Sequence, residues 1–361
     1  MRFREVAILD DETQTADSGT KTVNLNIVDP ITELILRVSV TNTAVLHNTP
    51  AETIIDKIEL VDGGRTYWDL TGEEAVAAAC FDLGKWPNAW YDESAGTAQS
   101  ISIPIAFGRF LGDSQFAFNP GALLNPQLRI TYAKASGHTT QLVKLGLTAR
   151  VMEGIGAPSQ ALMWHRVEAF TSAASGVHRV EMPVDYPYRR MAVRSYYQGL
   201  QQYNTLTKYK MSCDEGAFIP IDLAQWELYD IVKQMFGPFE FTSLIRFDET
   251  ELRDMWMEGN AVMLVGGAET PGINISGYSS NYSWFWSRAY NEAGTGQSDA
   301  KGICQITGYF PHSTICYQFG LHDEPDTWFN VSEFKSIDLD LTQGEASCAV
   351  SVLVQQPRML P

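Results

Sequence analysis

Apolar and polar positions alternate with a period of two over much of the chain. Leu34, Leu36, Val38 and Val40 form one such row, and Ile101, Ile103, Ile105 and Phe107 another. Val143 to Val151, Ile337 to Leu341 and Val350 to Val354 repeat the pattern. Mostly polar or small residues lie between them, as a strand with one buried face requires. Many such segments broken by Gly, Pro and Asn clusters predict an antiparallel all-β sandwich or barrel. A parallel βαβ arrangement needs a helix after nearly every strand, and only about three helical patterns are visible.

The pattern is written twice. Residues 58–84 align without gaps on residues 211–237, with Gly63/Gly216, Asp69/Asp222, Leu70/Leu223, Glu74/Glu227 and Gly84/Gly237 identical and Asp62/Glu215 conservative. Unrelated windows of that length share about one or two identities on average amino-acid usage. In the first copy a strand, a Gly-Gly turn and a second strand lead into Thr71-Gly72-Glu73-Glu74, a Ser/Thr-x-x-Glu capping box. The helix that follows is expected to bury Val76, Ala79, Cys80 and Leu83, spaced i, i+3, i+4 and i+7. Gly84 in the left-handed conformation stops it, and Pro87 prevents resumption. The second copy repeats the plan with a helix burying Tyr229, Val232 and Phe236 and ending at Gly237-Pro238, although Ala224 stands where Thr71 caps the first.

A fainter match upstream sets residues 23–42 on 180–199, with Val23/Val180, Pro30/Pro187 and Arg37/Arg194 identical and the apolar row kept. The order agrees with the first match and the offset is nearly the same, 157 against 153. Each copy also closes with two alternating strands. The chain therefore reads as an arm (residues 1–17), a first β module (18–155), an apolar connector (156–176) and a second β module (177–361). The second module is longer by roughly 45 residues, well beyond an ordinary loop. The excess falls in a loop at about 266–302, where Gly, Ser, Asn, Tyr and Trp crowd together. Long loops on rigid scaffolds carry function or contact partners. Just before it, Asp248-Glu249-Thr250-Glu251 reads as the start of a short helix ending near Glu258.

Charge narrows the functions. With 26 basic and 43 acidic side chains the net charge is −17, which repels phosphate backbones and argues against direct nucleic-acid binding. No apolar run is long enough for a membrane-spanning helix, and the first residues lack a signal-peptide core. Five cysteines, odd in number and without a Cys-x-x-Cys pair, read as buried thiols in a reducing compartment. The Asn-x-Ser matches at Asn274, Asn281 and Asn330 carry little weight for the same reason.

No catalytic, phosphate-binding or metal-binding motif is present, and the six histidines are scattered singly. His322-Asp323-Glu324 with Asp326 contains cation-ligand types, but reads as an acidic turn. Asp338 and Asp340, two apart on one strand, share a face; a glycosidase would need such carboxylates across a groove, whereas a solvated strand face is the simpler reading. Trp284, Phe285 and Trp286, with Tyr278 and Tyr282, form the aromatic centre of the long loop and are the candidate partner-binding residues. They serve equally well as an anchor for the loop.

Two tandem β domains, each with strand, turn, Asp-Leu, helix and Gly…Pro, resemble the double jelly-roll major capsid proteins of tailless icosahedral viruses. The resemblance is carried by residues 56–64 (DKIELVDGG), 68–74 (WDLTGEE), 107–110 (FGRF), 125–130 (NPQLRI) and 335–341 (KSIDLDL), and covers about residues 20–357. It implies an all-β fold of two eight-stranded jelly rolls in one chain, each with a short helical insertion. It implies a structural protein with no enzymatic role and no cofactor, made in the host cytoplasm and placed in the virion. Three chains would form a pseudo-hexagonal trimer that tiles an icosahedral capsid lattice beside penton and minor capsid proteins. Many relatives enclose a lipid membrane, so a membrane beneath the shell is compatible. The long loop would be an outward tower. Two other readings remain open: a carbohydrate-binding or carbohydrate-cleaving β-sandwich protein, supported by the aromatic loop and the paired carboxylates, and a minor capsid or spike protein with the same tandem plan.

Overall fold

The structure is a computed structural model that describes residues 1–42, 49–134, 143–156, 158–197, 200, 202–247, 251–254, 256–258, 261–265, 273–279, 284–291 and 300–360. The first module contains β1 (Arg2–Gln14), β2 (Ser18–Asn24), β3 (Ile31–Thr41), β4 (Ile55–Asp62), β5 (Arg65–Leu70), helix α1 (Gly72–Leu83), β6 (Ala89–Asp92), β7 (Ala98–Ala106), β8 (Pro126–Ala133) and β9 (Val143–Glu153). The second contains β10 (Gln160–Thr171), β11 (Gly176–Glu181), β12 (Arg190–Tyr196), the single turn α2 (Gln202–Thr205), β13 (Leu206–Cys213), β14 (Phe218–Ala224), α3 (Gln225–Met235) and β15 (Phe239–Phe247). Strands β16 (Glu251–Asp254), β17 (Met257–Glu258), β18 (Ala261–Val265), β19 (Ile273–Ser279), β20 (Trp284–Asn291), β21 (Ala300–Gly308) and β22 (Phe310–Pro311) follow. The module then closes with β23 (Thr314–Gln318), β24 (Ile337–Gln343) and β25 (Ala349–Met359).

Strand order confirms the internal repeat. In the first module β2-β8-β4-β5 form one layer and β1-β9-β3-β7-β6 the other. In the second, β11-β24-β13-β14 match the first layer strand for strand, and β10-β25-β12-β23 match β1-β9-β3-β7. The alternating rows fill the space between layers: Leu34, Leu36, Val38, Ile103, Leu145 and Leu147 in one module, and Val193, Leu339, Leu341, Val352 and Val354 in the other, are all at most 2% exposed. The repeat reaches finer detail. Val23 pairs with Leu128 and its counterpart Val180 with Leu339. A bulge falls between Ala7 and Leu9 of β1 and again between Arg166 and Glu168 of β10. Each bulge re-aims the strand at the same step of the module.

Residues expected as an arm thus run as β1 along the edge of the first module, and the apolar connector contains β10 in the equivalent place of the second. β10 also pairs in parallel with β5 at His165 and Asp69, and β15 pairs in parallel with β6. Both large sheets therefore continue from one module into the next.

The capping box at α1 forms as expected: Glu74 N–H donates to Thr71 Oγ1 at 3.2 Å, and Thr71 N–H donates to Glu74 Oε2 at 2.8 Å. Gly84 caps the helix at φ +68°. At α3 only half the box survives, Ala224 N–H donating to Glu227 Oε2, because alanine carries no acceptor. Its end also differs: Phe236, not a left-handed glycine, leaves the helix by turning extended at φ −119°. Of the residues expected inside, Leu83 alone is exposed, at 38%. The short helix expected from residue 248 is replaced, among the described residues, by β16 and β17; acidic residues favour a helix start, but here the chain pairs with β20 and β22 instead. The five cysteines are buried free thiols. No helix is long and apolar enough to cross a membrane among the described residues.

Candidate functional site

The richest concentration of polar chemistry lies where the modules meet. Helix α1 of the first module projects into this seam and is held by charged, polar and aromatic side chains of the second. Asp82, near its C-terminus, is the hub. It accepts from Trp164 Nε1 at 2.9 Å, from Gln355 Nε2 at 3.0 Å, from Arg189 Nη1 at 3.4 Å and from Arg190 Nη1. Glu73 accepts from Arg194 Nη2 at 2.8 Å, and Glu74 from Arg166 Nη2 at 2.6 Å. Between these ion pairs Phe81 packs against Phe236 and Phe239, with ring centres 5.0 and 5.6 Å apart.

Electrostatics follow from burial. Arg189 is fully buried, and desolvation together with neighbouring Arg190 lowers its pKa to about 9. His322 is also lowered, by burial first and then by both arginines, so the neutral ring prevails. A neutral ring suits its contacts: one nitrogen accepts from Arg189 and Arg190 at 3.1 Å, and Nε2 lies 3.1 Å from the Arg109 carbonyl, to which it donates. Arg109 in turn holds Asp113 through two parallel bonds of 2.7 and 2.9 Å and donates to the Asp323 carbonyl at 2.6 Å, closing the seam from the other side. Burial works against the charge on Glu74, but Arg166 and the hydrogen bonds it accepts outweigh burial and keep its pKa low. On the β5·β10 pairing, burial raises Asp69 to about 6, and burial plus Arg358 lowers His165 to about 3.

A second buried group ties the first module to the segment before β23. Glu52 Oε1 accepts from Tyr91 OH at 3.0 Å and lies 3.1 Å from His312 Nε2, while Trp86 Nε1 donates to Tyr91 OH at 3.2 Å. Beside it an open cleft of about 320 Å³ is lined by Trp86, Trp90, Phe241, Leu244 and Ile303. These groups are engaged with one another as structural pairs. Among the described residues no three His, Cys, Asp or Glu side chains are grouped to hold a metal ion.

The sequence-predicted candidates lie elsewhere. Tyr278, Trp284, Phe285 and Trp286 are in a three-stranded sheet, β16-β20-β19, where Tyr278 is the cross-strand partner of Trp286 and Trp284 that of Asp254. The segment expected as a loop at 266–302 is therefore partly strand; Tyr282 lies outside the described residues. Asp338 and Asp340 share Arg179, whose Nε donates to Asp340 at 2.7 Å and whose Nη1 lies 3.9 Å from Asp338. An arginine clamped between them removes the free acid pair that glycoside cleavage requires. The run from His322 to Asp326 is an acidic turn with Asp323, Glu324 and Asp326 exposed, as read, but the His322 ring and the Asp323 carbonyl reach into the seam. The hub itself escaped sequence reasoning, yet it left a signal. An aspartate in the last turn of a helix opposes the helix dipole, which calls for a cationic partner, and Arg189-Arg190 is a double cation at the entrance to a buried strand.

Similarity to solved structures extends over both modules. The chain superposes on the crystal structure of the STIV MCP, from Sulfolobus Turreted Icosahedral Virus, with a TM-score of 0.58 at 11% identity, covering 100% of this chain and 98% of that one. The major capsid protein of bacteriophage PM2 gives 0.57 at 12% identity, covering 100% and 98%. PBCV-1 VP54 gives 0.58 at 10% identity, covering 99% and 94%. No family model matches the sequence, and no curated protein sequence matches it. Two equivalent modules with matched strand order, joined in one chain that superposes end to end on these proteins, make this the double jelly-roll fold of viral major capsid proteins.

Proposed function

We propose that the chain is a viral major capsid protein, a non-enzymatic subunit whose trimers form pseudo-hexagonal capsomers of an icosahedral shell. The observation that carries this reading is the end-to-end superposition of both modules, in order, on capsid proteins. The chemistry agrees with it. The charged groups of the seam are consumed in joining the modules, and the net charge of −17 suits a soluble outer shell held away from nucleic acid. A ring of like units closes on itself and leaves no subunit with an unmatched face. In this reading the chain resides in the virion, its partners are further subunits and the penton and minor capsid proteins, and a membrane lies beneath the shell where the virus has one. The sheet β16-β20-β19, with Tyr278, Trp284, Phe285 and Trp286, rises as a tower and meets partners. Native mass spectrometry of the purified protein tests the proposal: trimers are expected, and a protein that stays monomeric at every concentration contradicts it.

A further inference from the structure

The seam inside the chain is a template for a contact outside it. It is head-to-tail: α1 and β5 of the first module meet β10, the start of β12 and the end of α3 of the second. Two modules joined this way leave one face of each kind without its counterpart. The open faces are α3 with β14 in the second module, and β1 with the adjoining part of β3 in the first.

The alignment and the matched bulges identify the residues. Glu73, Phe81 and Asp82 are three of the α1 side chains that grip the second module, and their counterparts on α3 are Trp226, Gln234 and Met235. All three are exposed, Trp226 at 65% and Met235 at 41%. Across the seam, Arg194, Phe236 and Trp164 correspond to Arg37, Leu83 and Glu5 of the first module, which are exposed as well. Thus these six positions are covered inside the chain and bare at its two ends, whereas Thr32 and Glu33, the counterparts of Arg189 and Arg190, stay buried.

Resting on the capsomer reading, we infer that α3 and β14 of one subunit dock on β1, Arg37 and Leu83 of the next. β14 adds in parallel to the free edge of β1, and Asp222 stands beside Val6 as Asp69 stands beside His165 in the seam. The ion pair Glu73–Arg194 becomes a guanidinium over an indole, Arg37 on Trp226, a favourable pairing of a cation with an aromatic face. Arg37 pairs with the exposed Asp11 at 2.9 Å, a surface pair that is readily exchanged. By the same mapping Gln234 meets Leu83, as Phe81 meets Phe236, and Met235 comes beside Glu5, as Asp82 lies beside Trp164.

Two measurements test the contact. Parallel neighbours lie about 4.8 Å apart, within the Cα separation a disulfide spans. The double variant Val6→Cys/Asp222→Cys, mildly oxidised, is expected to give covalent dimers and trimers on a non-reducing gel, and neither single variant should. Trp226→Glu is expected to raise the protein concentration at which trimers form by about tenfold to a hundredfold, as loss of an interface aromatic does, with an unchanged circular dichroism spectrum because the position is exposed. A wild-type protein that never trimerises overturns this inference together with the capsomer reading. A wild-type trimer without the cross-link, unaffected by Trp226→Glu, overturns the inference alone.

Discussion

Helices α1 and α3 start from the same plan and end in different surroundings. Both follow an Asp-Leu strand end, both place a glutamate at the third position to bond the cap N–H, and both turn Val76 or Tyr229 inward. Beyond that they diverge. In α1 every residue from Ala75 to Phe81 is at most 5% exposed, and three successive alanines, Ala77 to Ala79, leave room for the second module to close over the helix. In α3 the corresponding outer positions carry Trp226, Asp230, Gln234 and Met235, and all four are exposed. A helix covered on every side carries small and apolar residues where α3 keeps an exposed stripe that mixes Asp230 and Gln234 with Trp226 and Met235. The difference therefore records which module has a neighbour within the chain. It does not reflect a difference in the fold of the modules themselves.

The comparison breaks most sharply at its hub. Asp82→Ala leaves Arg189 and Arg190 buried without their carboxylate, and removing one partner of a buried ion cluster costs about 3–5 kcal/mol. Met235→Ala, the same position on α3, is expected to stay within about 1 kcal/mol in the isolated subunit. Urea unfolding of the two variants reads the contrast; equal midpoints would mean that the seam does not depend on Asp82.

Acidification sharpens the picture at the β5·β10 pairing. His165 has a folded pKa near 3 against about 6.5 unfolded, so the unfolded chain binds the extra proton and stability falls as pH drops below about 6.5. Asp69 behaves oppositely. Its folded pKa near 6 means that the folded chain holds a proton the unfolded chain has lost, so stability rises as pH falls from about 6 to 4. Each effect is on the order of 2–3 kcal/mol, and between about pH 6 and 4 they offset one another. Relative to wild type, Asp69→Asn should lose stability over that interval and His165→Gln should gain it. Parallel changes in the two variants, followed by urea midpoints at pH 6 and 4, would contradict the assignment.

Smaller effects probe the helix starts. Thr71→Ala removes a complete cap and is expected to cost about 1 kcal/mol, whereas Ala224→Ser restores the missing half of the other cap and is expected to gain a similar amount. Thermal melts that show no gain for Ala224→Ser would indicate that the α3 N-terminus is satisfied in another way. The smallest change is expected from deleting residues 270–298. The deletion removes β19 and β20 but spares β21, which pairs with β15. The melting of both modules should shift by less than about 2 °C, since a separate surface sheet contributes little to either core. Loss of the second module's transition would place that sheet inside its core.

Much of this architecture was legible in the chain. Alternating rows gave the strands, and the Gly-turn-Asp-Leu-helix run gave the repeat, because turns, caps and core positions demand the same residue types wherever they recur. The match of β1 to β10 was not legible. β10 is covered on both edges and reads Ala-Leu-Met-Trp, while β1 has a bare edge and reads Arg-Phe-Arg-Glu. Their surroundings erased the identity, and only the shared bulge preserves it. The seam escaped for a related reason: its residues come from elements far apart in the sequence, and nothing but the fold brings Asp82 to Arg189 and Arg190. The aromatic residues near 284 stood out in the sequence by crowding, a signal that reports an unusual surface without naming its partner.

The central claim is that the two modules are equivalent blocks arranged head to tail, so that three chains close a ring of six. Projection images of the purified assembly by electron microscopy test it most directly. The account predicts particles with six similar lobes and threefold symmetry, α3 of each subunit lying against β1 of the next. Particles of any other lobe number, or rings in which like modules face each other, would contradict it.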